Sequence, residues 1–347
     1  MDKKKEVSQK NRELNEGEIR SGKTVLESLP RRLIVTLSTR CNSRCIMCEV
    51  KKNNWDLPEK TLSEIKELFP VLESIAWQGG EVFYLPFFEE LFESAAVFQG
   101  LKQTIVTNGL LLSEKWIEKL VQAPVELAVS VDGTTKEVYE KIRSGSDFNR
   151  LKKNLARLKK LRKKPSPMSL RLHTVVMRSN LDQMTDFAAF AEEFGFDALH
   201  FMPLYGNEEP GEDLFRHGED LPEIESIRIR LKKVSQKAKE AGIEFLNSLP
   251  VSLEVRDSSF CPGRPEKKEE ELLCTLPWQQ MNLDPGGEVR PGCLCTLPVG
   301  RVPGMSLLEI WNSPAMQKYR EALLGKENSL CFRNCIEGRV PAELRKV

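Results

Sequence analysis

What the chain lacks narrows the field before any motif is considered. It contains no run of 18 apolar residues, and its first 24 residues are polar and charged, so neither a membrane span nor a secretory signal is expected. It has almost no net charge. The 52 Lys and Arg against 51 Asp and Glu leave +1, which excludes a protein that works through bulk charge. Histidine is scarce, with three in 347 residues, and none of His173, His200 and His217 carries ligand spacing. Cysteine is missing from residues 49–260, yet the chain holds nine, three in 41–48 and six beyond 260. A secreted disulfide framework would suit a shorter chain with an even count. Thiols clustered in this way point instead to metal or redox chemistry with iron or zinc, in a reducing cytoplasm. The length allows one large domain or two smaller ones, and a substantial core.

Residues 1–30 read as an N-terminal arm, mobile or a short surface helix. A first domain is expected over 31–248, with regular alternation from 32 to about 205 that fails after Gly206. β-Branched apolar runs predict strands at 32–38, 73–78, 102–107, 125–131, 170–177 and 197–203, with helical patterns near 61–70, 86–98, 113–122, 135–161 and 181–194. Alternation of this kind builds a parallel sheet. Six units fall short of eight, so the fold class is α/β, a partial (β/α)6 TIM-like barrel. A charged helix is expected at 222–241. Residues 249–347, rich in Pro, Gly and Cys, should form a small second domain held by metal rather than by a large core. The stretch 150–164 has nine Lys and Arg and no acid, but Leu151, Leu155, Leu158 and Leu161 lie on one helical face. An outer helix with a solvated basic side explains it more simply than a nucleic-acid or acidic-peptide surface.

Cys41, Cys45 and Cys48 stand in CNSRCIMC, directly after the first predicted strand. Three thiolates on one short loop can ligate three irons of a 4Fe–4S cube and leave the fourth open to a ligand. A structural zinc site would want a fourth protein ligand, and none is nearby.

This loop resembles the signature of the radical S-adenosylmethionine (SAM) enzymes, and four further segments agree: WQGGEV (77–82), TNG (107–109), SVDG (130–133) and KIRSG (141–145). The resemblance implies that Gly79 and Gly80 let backbone approach the cofactor's methionyl amino group and that Glu81 complements its charge. It assigns Ser130 and Asp132 to ribose or carboxylate contacts, Arg143 to the methionyl carboxylate and Met47 to the adenine. Val82 stands where the family usually has Pro. The implied chemistry is reductive cleavage of SAM to a 5′-deoxyadenosyl radical, which abstracts a substrate hydrogen.

Cys274, Cys293, Cys331 and Cys335 form C-x18-C…C-x3-C around a Pro-Trp, a DPGG turn and an IWNS helix. This resembles the SPASM/twitch extension of the same superfamily. Its fuller form has seven cysteines and two clusters; here one auxiliary 4Fe–4S cluster is implied, with Cys295 an alternative to Cys293. A four-cysteine zinc site is the competing reading. Cys261, at the junction of the two regions, is a candidate hydrogen-atom donor, as in radical epimerases of similar architecture, although a tolerated thiol is the simpler reading.

The expected function is oxidation or epimerisation of a small carbohydrate-like metabolite or a ribosomally made peptide. The short segment before the first strand tilts the balance toward the small molecule. Flavodoxin or ferredoxin would supply electrons; no membrane or nucleic-acid partner is expected. The alternative from another class is a zinc-stabilised scaffold or RNA-binding protein.

Overall fold

The structure is a computed structural model that describes residues 3–48, 54–204, 211–215, 224–251, 273–293, 295–325, 330 and 339–340. Helix α1 (Lys3–Arg20) precedes strand β1 (Arg32–Thr36). There follow α2 (Glu59–Leu68), β2 (Ser74–Gln78), α3 (Phe88–Ala96), β3 (Lys102–Thr107), α4 (Glu114–Gln122) and β4 (Val125–Ser130). Next come α5 (Lys136–Ile142), α6 (Phe148–Leu161), β5 (Ser169–Val176), α7 (Asp186–Phe194), β6 (Ala198–Pro203), α8 (Ile224–Glu240) and β7 (Glu244–Asn247). The C-terminal part adds β8 (Leu273–Cys274), α9 (Leu276–Gln279), β9 (Gln280–Leu283), β10 (Glu288–Arg290), β11 (Gly300–Arg301), α10 (Leu307–Trp311), α11 (Pro314–Leu324) and β12 (Arg339–Val340).

All six predicted strands form within two residues of their expected ends, and they pair in parallel in chain order. The sheet goes further than six, however. β7 adds to β6 in parallel, and on the other edge β9 adds to β1 in parallel before β10 and β11 complete an antiparallel meander. Alternation along each strand sorts the two faces. Leu33, Val35, Ile75, Trp77, Leu127, Leu172 and Phe201 are buried toward the helices, whereas Gln78, Ser130, Arg171, His173 and His200, on the opposite face, are half-buried. The second face is thus a partly open inner wall.

Two local devices set the helices. Ser113 and Asp147 accept from the backbone N–H of Trp116 and Arg150, capping α4 and α6. The single helix predicted over 135–161 is broken into α5 and α6, with Gly145 at φ +78° in the gap. The break has a use, because it frees carbonyls that the cysteine loop takes up: Arg44 N–H donates to Ser144 O (2.6 Å) and Ile46 N–H to Ile142 O (2.9 Å). On α6, Leu151, Leu155 and Leu158 are fully buried, which bears out the outer-helix reading of the basic stretch.

The C-terminal part differs from expectation. Trp278, Met281, Leu283, Val289, Ile310, Trp311 and Met316 are buried and belong to the same apolar cluster as Leu33 and Val35. It borrows the core of the sheet it extends, and so has more apolar support than its composition suggested. The N-terminal arm carries a helix docked on this part, where Asn15 Nδ2 donates to Trp278 O (2.6 Å) and Trp278 Nε1 donates to Lys23 O (2.7 Å), while within the arm Glu18 accepts from Glu27 N, Ser28 N and Ser28 Oγ. Among the described residues, no helix is long and apolar enough to cross a membrane.

Candidate active site

The cysteine loop leaves the C-terminal end of β1, where open parallel sheets and barrels assemble chemistry. Cys41 is exposed, Cys45 buried and Cys48 half-buried. Although the Cys41 residue is exposed at the surface, the protein packed around its thiol partly desolvates it and pushes it up to about 11, with smaller contributions from Glu81, Cys45 and Cys48. Protein donors already point at the sulfurs. Ser43 N–H lies 3.4 Å and Asn108 Nδ2 3.8 Å from Cys41 Sγ, and Arg143 Nη1 lies 3.7 Å from Cys45 Sγ. Among the described residues, no three His, Cys, Asp or Glu side chains converge as they would around one metal ion. Three thiols on one short loop, with protein donors directed at two of them, suit a polynuclear cluster in which each thiolate takes a different iron. The donor set therefore fits an iron–sulfur cluster.

The loops around the cysteines interlock. Gly79 and Gly80 have φ of +91° and +50°. A Cβ on Gly79 would stand 2.3 Å from Thr36 Cγ2, and one on Gly80 2.0 Å from Arg40 O. The chain's own approach to the cysteine loop thus requires both glycines, whatever else they do. Glu81 is buried, and its carboxylate accepts from Thr107 Oγ1 (2.8 Å), Asn108 N (2.8 Å) and Phe83 N (3.3 Å). Burial raises its pKa, while these donors oppose the rise.

Asp132 is fully buried and pairs with Arg143 (Oδ2 to Nη2, 2.6 Å), while its Oδ1 accepts from Val175 N (2.8 Å). Burial raises the Asp132 pKa and Arg143 opposes it; Arg143 itself is held above its ordinary value by Asp132 and Cys45, against its desolvation. Ser130 ends β4 on the inner wall beside His173, and Met47 is half-buried on the cysteine loop. The structure thus gathers Cys41, Cys45, Glu81 and Arg143 into one neighbourhood, with Asp132 behind Arg143.

Cys261, Cys331 and Cys335 lie outside the described residues. Of the expected auxiliary ligands, Cys274 sits on β8 and is half-buried, and Cys293 is exposed after β10, with half-buried Cys295 two residues on. The predicted strands allowed His173 and His200 to line the interior, but their contact with each other and the role of Asn108 emerge only from the structure. On the inner wall, His173 and His200 face each other edge to face at 5.1 Å beside an Arg171–Glu126 ion pair. Strand parity could have placed all four residues on one face. Asn108, which the TNG match contained without assigning it a role, proves to touch the cysteine loop at several points.

Residues 35–191 match the radical SAM superfamily, and residues 274–336 match the SPASM iron-sulfur cluster-binding domain. The chain thus carries a radical SAM domain followed by a SPASM domain, and together the two domains imply 4Fe–4S clusters and S-adenosylmethionine as cofactors.

An AdoMet-dependent heme synthase of Methanosarcina barkeri is 30% identical over 188 residues, 52% of this chain and 52% of that one. The mycofactocin maturase MftC of Mycobacterium ulcerans is 28% identical over 166 residues, 46% of this chain and 43% of that one. The chain thus spans about half the length of the curated relatives it matches. Among solved structures, SuiB of Streptococcus suis superposes with a TM-score of 0.67 at 16% identity, over 90% of this chain and 72% of that one, and shows the same fold.

Proposed function

We propose that this radical SAM enzyme abstracts hydrogen from a peptide substrate, with oxidation or epimerisation of the abstracted position as the outcome. The observation that supports it most is the placement of the Cys41–Cys48 loop at the C-terminal end of β1, over a sheet whose inner wall is polar and half-open. Cys41, Cys45 and Cys48 would hold the first cluster. Cys274, Cys293, Cys331 and Cys335 would hold the auxiliary one. When bound, the cluster and SAM supply a reductively formed 5′-deoxyadenosyl radical.

The chain's own residues bind, orient and shield. Gly79 and Gly80 fix the cysteine loop against β2, and Glu81 ties that loop to the end of β3. Met47, Gly79, Gly80, Glu81, Ser130 and Arg143 remain the residues proposed to meet SAM, with Asp132 of the same expected set acting through Arg143. Arg143 reaches any carboxylate from a position already fixed by Asp132. His173 and His200 line the wall as neutral groups, since burial lowers them to about 3 and about 4. A peptide is favoured over a small metabolite because the shared fold accommodates one in SuiB, described as bound to precursor peptide SuiA. Flavodoxin or ferredoxin is proposed as the electron donor, and Cys261 as the hydrogen donor if the product is an epimer.

The test is turnover in deuterated water, with reduced, cluster-reconstituted protein, SAM and candidate peptides. Loss of two hydrogens marks oxidation, and gain of one deuteron marks epimerisation. Cys261→Ala should abolish the deuterated product in the second case, and its full retention would remove Cys261 from the mechanism.

A further inference from the structure

We propose, on the reading that the Cys41 loop carries a cluster, that Asn108 is a positioning residue that fixes the Cys41 limb of that loop and hydrogen-bonds the Cys41 sulfur. The residue is 5% exposed, at the turn that follows β3. Its backbone N–H and its side-chain amide are committed. Its backbone N–H donates to Glu81 Oε2 (2.8 Å), and its Oδ1 accepts from Leu110 N (2.9 Å). That leaves the two protons of Nδ2, which point at the cysteine loop: toward Asn42 Oδ1 (2.8 Å), Ser43 Oγ (3.3 Å) and Cys41 Sγ (3.8 Å).

An Asn held at both its backbone and its Oδ1 has little freedom left, so the direction of Nδ2 is set before any ligand arrives. Three consecutive residues of a loop therefore share one fixed donor. The contact reaches across from a different strand end, so it also ties the cysteine loop to the loop that carries Glu81. Ser43 gains a second anchor in Ser146 Oγ (2.8 Å), from the break between α5 and α6.

Such a contact has an electronic consequence besides its geometric one. An N–H directed at a ligand sulfur stabilises the more electron-rich, reduced state of the cluster and so raises its potential. Residues that orient first ligands affect both affinity and potential, whereas a residue that only packs affects neither.

The experiment uses full-length protein reconstituted with iron and sulfide, comparing wild type with Asn108→Leu and Ser43→Ala. Three quantities are read: iron per chain, the midpoint potential of the cluster followed by electron paramagnetic resonance, and the urea midpoint of the metal-free chain. In Asn108→Leu, the expected result is a more negative midpoint potential with iron retained, or loss of about half the iron at an unchanged urea midpoint. Ser43→Ala leaves the donor to Cys41 in place and should keep the wild-type potential. Asn108→Leu with unchanged iron and unchanged potential overturns the proposal. So does Asn108→Leu that loses iron because the metal-free chain itself unfolds at lower urea, since Asn108 would then serve only the fold. Wild-type protein that takes up no iron would strike at the proposed function instead, and is seen before any variant is made.

Discussion

Arg143 Nη2 lies 2.6 Å from Asp132 Oδ2, and both side chains are buried at the edge of the cysteine loop. The pair spans the end of β4 and the break after α5, and Arg143 reaches on to Cys45 Sγ at 3.7 Å. Removing one partner leaves a buried charge uncompensated. Asp132→Asn should therefore destabilise the metal-free protein by about 3–5 kcal/mol, the usual size of that penalty. Chemical denaturation measures it; a loss under about 1 kcal/mol would mean that water reaches Arg143 and the pair is not truly buried.

The two glycines make a sharper prediction about the cysteine loop. Gly80→Ala combines a φ of +50° with a Cβ placed 2.0 Å from Arg40 O, and backbone cannot swing aside as a side chain can. The loop must shift, so reconstituted Gly80→Ala protein should hold about half the iron of wild type while keeping its helical circular dichroism. Gly286→Ala is the control. Its φ is +86°, but nothing lies within 4 Å of the added Cβ, so iron content should not change.

Much of this fold was legible in the sequence because it is written in local periodicity. The strand at 102–107 appears at Lys102–Thr107, and that at 125–131 at Val125–Ser130. What was not legible depends on partners far away in the chain. β9 pairs with β1 across some 250 residues, and its four-residue run carries no sign of that edge. β7, also four residues long, lies just beyond the charged helix expected at 222–241, in a stretch to which the sequence assigned no element. The cysteines, Glu81 and Arg143 could be found by motif. What holds them could not. That Asn108 faces Cys41, or that Asp132 meets Arg143 rather than a ligand alone, follows only from how the loops at the strand ends come together.

The paired histidines predict an acid response. His173 is lowered from 6.5 to about 3 by burial, then by His200 and Arg171; His200 is lowered to about 4 by burial and then by Arg171. Between those values and 6.5 the unfolded chain binds more protons than the folded one. Stability from this pair is therefore fully present above pH 6.5 and lost as pH falls from about 6.5 toward 4 and then 3. A His173→Gln/His200→Gln variant should show a flatter dependence of urea midpoint on pH between 4 and 6.5. Equal slopes in variant and wild type would place the acid sensitivity elsewhere.

Arg320 predicts how firmly the N-terminal helix is held. It is fully buried and donates to Pro277 O (2.9 Å), Thr24 O (2.6 Å), Trp311 O (2.8 Å) and Asn312 Oδ1 (3.0 Å), with its guanidinium over the Trp311 ring. Arg320→Leu strands those acceptors, each costing about 1–3 kcal/mol if left unpaired. Limited proteolysis should then cut within residues 3–30 faster than in wild type, because Thr24 links that segment to α11. An unchanged cleavage rate would show that the contacts of Asn15 and Lys23 with Trp278 suffice to hold α1.

The measurement closest to the central claim is the SAM cleavage product. Full-length protein, reconstituted without oxygen and then reduced, is incubated with SAM, and 5′-deoxyadenosine is quantified by mass spectrometry beside a Cys41→Ala/Cys45→Ala/Cys48→Ala variant. The account predicts 5′-deoxyadenosine from wild type, more of it with an accepted peptide, and none from the variant. Iron-loaded, reduced wild-type protein that forms no 5′-deoxyadenosine, or a variant that forms as much as wild type, would contradict it.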